Sequence, residues 1–172
     1  FFRDDPAMAQ GLGNPMGNLF IPTKQCPVLY LDWETRAETH TRRLAMLSNG
    51  IGYGLTNLPV ITYRREYRPI ADDVVQIKAW VRDQGIKLVI VDSLGPASGG
   101  EQEKADATIR AMGAIRSLGA DVTSLVVSHM TQTHAEQSNG TSRPFGSIYV
   151  GAMARKLWEV RRSSHNGAGY VD

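Results

Sequence analysis

Three short apolar runs in this chain each end in acidic or polar residues, and this arrangement constrains the fold more than any other feature. The run Leu88–Val91 is followed at once by Asp92 and Ser93. Four apolar residues bounded by turn-forming residues are typical of a strand that is buried on both faces of a parallel sheet. Open α/β sheets hold their ligands at the carboxyl ends of such strands. Asp92 therefore either serves a bound ligand or only starts the next turn.

Two further apolar runs end in the same way. The run Val28–Leu31 precedes Asp32 and Glu34, which are expected on one side of the strand because side chains alternate along it. The third run ends near Val127 and precedes Ser128, His129, Thr131 and Gln132. Polar groups at the same end of three strands predict one site at the carboxyl edge of a sheet, where Glu34, Asp92 and His129 lie together.

Helical periodicity separates these runs and predicts a parallel sheet with right-handed crossovers. Strands are expected near 28–35, 59–63, 87–92, 122–128 and 156–161, and helices near 37–49, 69–85, 104–118 and 148–154, with a turn-rich loop over 94–103 and a polar loop over 131–146. The inward-facing helix residues are predicted to be Leu44, Leu47, Val74, Ile77, Val81, Ile109, Met112 and Ile115.

The order and spacing of four sequence blocks resemble the RecA/DnaB-type P-loop ATPase core, in particular the plasmid RepA-like and phage-type replicative helicases. The blocks are VLYLDWET, LVIVDSLGPA, LVVSHMTQ and RPFGSIYVGAMARKLWEVRR, and together they cover roughly residues 6–162. The resemblance implies a RecA-like, mostly parallel sheet flanked by helices, and a motor that hydrolyses ATP with Mg²⁺ in DNA replication or recombination. It further implies that Glu34 is the general base, that Asp92, beside Ser93, serves Mg²⁺, and that His129 senses the γ-phosphate, with Thr131 and Gln132 near the nucleotide.

The resemblance also implies partners. In this family the loop corresponding to residues 131–146 faces a central channel, so Arg143 and Phe145 are expected to contact single-stranded DNA through phosphate and base stacking. The alternative is a surface loop whose end is anchored by Phe145. A neighbouring subunit of a hexameric ring or filament would receive an arginine finger, for which the candidates are Arg155, Arg161 and Arg162. Each of these arginines could instead form a surface salt bridge.

One family feature, the sequence G-x-x-x-x-G-K-[ST], does not occur in the 172 residues. The expectation is that this loop lies just before residue 1, so that the chain is a fragment, truncated at its P-loop end, of a single RecA-like domain over 1–172. The alternative is a non-catalytic RecA-like module without a P-loop, acting as an assembly or DNA-binding subunit. A third possibility is a dinucleotide enzyme that uses Gly11, Gly13 and Gly17, but no strand-like run precedes them, as that fingerprint requires.

Composition narrows the class of protein. A chain that is 42% hydrophobic and 21% charged is ordinary for one soluble domain. A net charge of +2 is too mild to imply nucleic-acid binding by itself. The lone Cys26 excludes an internal disulfide and fits a reducing, cytoplasmic location. No apolar run reaches 18 residues, so no membrane span is expected.

Overall fold

The computed structural model describes residues 25–50, 60–99, 105–129 and 149–158. Residues 26–155 form one compact unit. A second unit comprises residues 1–25 and 156–172, of which Gln25 and residues 156–158 are described, none of them in a helix or strand. The prediction that residues 1–172 form one domain stays a prediction.

Strands and helices alternate along the described part of the first unit. Its four strands form one sheet in the order β2-β1-β3-β4, and every pairing is parallel. This confirms the predicted α/β class with a parallel sheet flanked by helices. The elements are β1 (Val28–Asp32), α1 (Ala37–Gly50), β2 (Ile61–Arg65), α2 (Ile70–Asp83), β3 (Leu88–Asp92), α3 (Leu94–Ser98), α4 (Ala105–Arg116), β4 (Thr123–Val126) and α5 (Tyr149–Met153).

The core lies on one face of the sheet. Leu29 and Leu31 of β1 are in register with Val89 and Val91 of β3, and all four side chains are fully buried. Helices α2, α3, α4 and α5 supply the other side of this core. Their buried apolar residues are Ile70, Ile77, Val81, Leu94, Ala97, Ala111, Met112, Ala114, Ile115 and Val150. Burial of each large aliphatic side chain contributes about 1.5–3 kcal/mol.

Helix α2 shows why its sequence folds as predicted. It begins after Pro69 and carries Asp72 and Asp73 in its first turn, where carboxylates interact favourably with the unpaired N–H groups. Arg82 in the last turn interacts favourably with the carbonyl end. The chain leaves the helix at Gly85, whose φ of 61° suits glycine.

The loop predicted over 94–103 is wrong in its first half, because residues Leu94–Ser98 form helix α3. Ser93, which is extended, occupies the N-cap position, and Pro96 falls in the first turn, where the missing N–H would have no intrahelical partner. Gly99, with φ of 69°, ends the helix in the left-handed conformation. A proline in the first turn and a glycine at the end are thus compatible with a short helix here, although these residues usually indicate a turn.

Two predicted core residues are exposed. The inward face of α1 passes through Leu44 and the buried Ser48, four residues apart, so Leu47 lies off this face and is 67% exposed. In α4 the inward face passes through Thr108 and Met112, which leaves Ile109 39% exposed. Each misassigned residue lies next to a buried one, Ser48 or Thr108, whereas Met112 and Ile115 of α4 are buried as predicted.

Strand β2 is displaced by two residues from its predicted position at 59–63. Pairing with β1 continues through Tyr63, opposite Tyr30, to Arg65, opposite Asp32. The polar residues at the end of β2 are therefore part of the sheet. The strand predicted over 156–161 is absent from residues 156–158, and its remainder lies outside the described residues.

Candidate functional site

The carboxyl ends of three neighbouring strands meet at one edge of the sheet. Asp32 at the end of β1 is directly opposite Asp92 at the end of β3. The chain past β1 remains attached to this edge, because the Trp33 N–H donates to the Asp92 carbonyl oxygen at 2.7 Å. The chain past β4 does the same, because the Val127 N–H donates to the Val91 carbonyl oxygen at 2.9 Å. Residues that follow each strand are thus held near one another.

Glu34 is the residue on which this edge converges. Its Oε1 accepts a hydrogen bond from the Ser93 hydroxyl and lies 2.8 Å from His129 Nε2. Because a carboxylate only accepts, the ring nitrogen that faces it must carry a proton. The predicted position of Glu34 beside the ends of β3 and β4 is therefore confirmed.

The surroundings of Glu34 favour its ionised form. The hydrogen bond from Ser93 lowers the pKa of Glu34 below its usual range, burial opposes this, and the His129 ring lowers it further. The side chain is still 35% exposed, so water can reach it. Glu34 is therefore ionised and open to water, although its lowered pKa makes it a weaker proton acceptor than a carboxylate whose pKa lies near neutral pH.

Asp92 lies next to this cluster with one carboxylate oxygen bonded to the protein. Its Oδ2 accepts a hydrogen bond from the Tyr30 hydroxyl at 2.5 Å, and its Oδ1 has no partner among the described residues. Burial, and then the bond to Asp92, raise the pKa of Tyr30, so the phenol remains a donor. The peptide bond between Asp92 and Ser93 is cis.

This donor set fits Mg²⁺. The described residues contain no group of three or more His, Cys, Asp or Glu side chains able to hold a metal ion. Mg²⁺ rarely needs such a group, since it keeps several waters and takes one or two carboxylates together with the phosphates of its nucleotide. Among the described residues, Asp92 lies at the sheet edge with no hydrogen bond to its Oδ1, so it would be the residue to hold Mg²⁺.

Sequence reasoning missed the part that Asp32 plays. Asp32 is fully buried and accepts hydrogen bonds from Thr35 after β1 and from Tyr63 and Arg65 of β2. An aspartate that ends a strand two residues before another polar residue often accepts N–H groups from the following turn, and this signal was readable. The hydrogen bonds from β2 to Asp32 could not be predicted from the sequence, because they depend on the register of that strand.

A second feature that the sequence did not reveal is an aromatic stack beside Asp32. The His40 ring of α1 contacts two tyrosine rings, which are themselves 6.2 Å apart: it is tilted against Tyr30 at a centroid distance of 4.3 Å and stacked on Tyr63 at 4.9 Å. Burial lowers the pKa of His40, against the pull of Asp32 and Asp92, so its neutral form is favoured. The stack fixes the two phenols whose hydroxyls reach Asp92 and Asp32.

The remaining predicted site residues are not placed by this geometry. Arg155 is exposed, two residues beyond α5. The others lie outside the described residues: Thr131, Gln132, Arg143, Phe145, Arg161 and Arg162, and likewise Gly11, Gly13 and Gly17.

Comparison with known families agrees with this arrangement. The family model described as AAA domain matches residues 7–135, three quarters of the chain, including Glu34, Asp92 and His129. The chain belongs to the AAA domain family. The AAA domain is a P-loop ATPase type, and such domains generally use ATP and Mg²⁺. No curated protein matches the chain with statistical support.

The AAA domain assignment fits the observed parallel sheet with acids at its carboxyl edge. None of the helices among the described residues is long and apolar enough to cross a membrane.

Proposed function

We infer that this chain is the ATP-hydrolysing core of a DNA replication or recombination motor of the RepA/DnaB or RecA type. The observation that carries the proposal is the convergence of Ser93 and His129 on the Glu34 carboxylate, beside Asp92. The four sequence blocks that resemble replicative helicases support the narrower assignment, which goes beyond the ATPase type of the family.

Each residue would have a distinct part. Glu34 would accept a proton from the water that attacks the γ-phosphate, while Ser93 and His129 keep Oε1 in place. His129 would respond to the γ-phosphate because it is exposed on its far side, with 64% of its side chain accessible. Asp92 would hold Mg²⁺, which supplies charge stabilisation when it is bound with ATP.

The test is a Glu34→Gln substitution in the full-length natural protein. Glutamine keeps the size and hydrogen-bonding shape of the side chain but cannot accept the proton. Steady-state ATP turnover should fall about 10²–10⁴-fold, the usual loss when a general base is removed. ATP binding, measured by calorimetry, should be unchanged.

The matched control is Glu38→Gln, which makes the same chemical change at an exposed position in the first turn of α1. Its turnover should equal that of the unaltered protein. Wild-type turnover in Glu34→Gln would refute the role of Glu34, and no turnover in the unaltered protein would favour the non-catalytic module.

The partners are part of the same proposal. Single-stranded DNA would contact Arg143 and Phe145, and Arg155, Arg161 or Arg162 would reach the nucleotide of a neighbouring subunit in a homo-oligomer, in the cytoplasm. Support comes from the sequence resemblance alone. Faster ATP turnover on addition of single-stranded DNA would support this part, and an unchanged rate would count against it.

A further inference from the structure

Asp32 is the most completely bonded acidic side chain in the described part of the unit. Its exposed fraction is zero. Oδ1 accepts the N–H groups of Glu34 at 2.7 Å and Thr35 at 2.8 Å, and one guanidinium nitrogen of Arg65 lies 3.2 Å away. Oδ2 accepts the Thr35 hydroxyl and the Tyr63 hydroxyl, the latter at 2.9 Å.

These five donors leave Asp32 no capacity for chemistry of its own. A carboxylate offers about four lone-pair directions, and all are occupied by protein groups. Water cannot approach a side chain with no exposed surface, so Asp32 is neither a general base nor a metal ligand. Its bonds must serve some other purpose, since an ionised carboxylate is buried only when it is well compensated.

The donors come from two separate parts of the chain. One set belongs to the turn that carries Glu34, and the other set, Tyr63 and Arg65, belongs to strand β2. Arg65 also donates to the Asp32 carbonyl oxygen at 3.3 Å. Tyr63 is itself held by ring stacking on His40. Asp32 thus connects the backbone N–H groups of Glu34 and Thr35 to strand β2 through hydrogen bonds.

We propose that Asp32, fixed by Tyr63 and Arg65, is the positioning residue for the general base Glu34. The inference rests on the proposed ATPase function and adds to it three residues that are bonded to one another behind Glu34. Bonds to the N–H groups of Glu34 and Thr35 set the direction in which the Glu34 side chain leaves the backbone. Loss of this restraint affects the chemical step and leaves ATP binding almost unchanged.

The test compares Asp32→Ala, Asp32→Asn and Tyr63→Phe with Glu34→Gln in the full-length natural protein. Asp32→Ala should lower kcat by about 10²-fold, the cost of a misplaced catalytic group, with little change in KM for ATP. Asp32→Asn should keep more of kcat, because its amide oxygen can still accept the two turn N–H groups. Tyr63→Phe should lower kcat by a smaller factor. The matched control is Tyr67→Phe, at a position that is 82% exposed, and it should leave kcat unchanged.

A second readout separates positioning from a general loss of structure. Hydrogen exchange of the Glu34 and Thr35 amides, followed by NMR, should become faster in Asp32→Ala while amides of the core strand β3 are unaffected. Should Asp32→Ala fail to fold, Tyr63→Phe carries the test, since it removes one hydroxyl and keeps the ring.

The outcomes are distinct. Wild-type kcat in both Asp32→Ala and Tyr63→Phe, while Glu34→Gln is inactive, would overturn the positioning role and leave the proposed function intact. A lowered kcat with unchanged exchange at both amides would also overturn it. Wild-type turnover in Glu34→Gln would overturn the proposed base and the positioning role together.

Discussion

Two buried acids near the same sheet edge have pKa values shifted in opposite directions, because Asp32 accepts several hydrogen bonds whereas Oε1 of Glu66 accepts none from the described residues. For Asp32, burial favours the protonated form, but the bonds from Thr35, Glu34 and Tyr63 outweigh it and lower the pKa. Glu66 is only 8% exposed, and its Oε1 has no hydrogen-bond partner among the described residues. Arg64 comes within 3.6 Å of that oxygen, too far for a hydrogen bond.

Glu66 should therefore destabilise the protein at neutral pH. Burial, with help from Asp73 and against Arg64, raises its pKa above the ordinary value of 4.5. Because the pKa of Glu66 is higher in the folded state, the folded protein binds more protons than the unfolded one. The contribution of Glu66 to the stability of the fold is therefore favourable below pH 4.5 and is lost as the pH rises through the folded-state pKa. Glu66→Gln should raise the Tm at pH 7 and should have little effect near pH 4.

Thermal unfolding monitored by circular dichroism at both pH values checks this. Glu38→Gln is the control; because it removes an exposed carboxylate from the first turn of α1, it should lower the Tm slightly at pH 7, the opposite direction to Glu66→Gln. An equal or lower Tm for Glu66→Gln at pH 7 would show that Glu66 is stabilised by a group not identified here.

At the scale of elements, the end of α3 and the start of α2 meet in one close contact. Gly99, which ends α3, lies against the ring of Pro69, which precedes α2. A Cβ added at Gly99 would lie 2.1 Å from Pro69 Cγ, and φ there is +69°. Glycine is thus required twice, for conformation and for space.

Gly99→Ala should consequently lower stability. The left-handed backbone alone costs a non-glycine residue about 1–2 kcal/mol, and the displaced proline adds to this. Since about 1 kcal/mol moves the Tm of a domain of this size by roughly 2–4 °C, calorimetry should show a decrease of several degrees.

The matched control is Gly113→Ala in α4, where an added Cβ meets nothing within 4 Å. This change should stabilise the helix by about 0.5–1 kcal/mol. A Gly99→Ala protein as stable as the unaltered one would mean that Pro69 moves aside without cost.

The elements also show how far sequence reasoning reaches. The meeting of Glu34 with Ser93 and His129 was predictable, because polar residues after apolar runs fall at one edge of any parallel sheet. The contact of Arg65 with Asp32 was not predictable, because the sequence ITYRR of β2 lacks the apolar pattern that would fix the register of this strand against β1. Helix α3 was missed because glycine and proline within LGPAS usually indicate a turn.

At the scale of the whole molecule, the sheet edge carries the proposed base and the proposed metal ligand, but the 172 residues contain no G-x-x-x-x-G-K-[ST] sequence. That loop supplies most of the N–H groups and the lysine that bind nucleotide phosphates. The 172-residue chain by itself should therefore bind Mg·ATP weakly, with little heat in a calorimetric titration. Micromolar affinity would mean that other residues of this chain hold the phosphates.

The partners of Glu34 are far from it along the chain: Ser93 is 59 positions away and His129 is 95. During synthesis Glu34 is therefore made before either of the two residues that hydrogen-bond to it. At roughly 5–20 residues per second, the interval until His129 has been added lasts about 5–20 s. Until then the nascent chain carries Glu34 without the imidazole that hydrogen-bonds to it. The site proposed for ATP hydrolysis therefore stays incomplete until His129 has been synthesised.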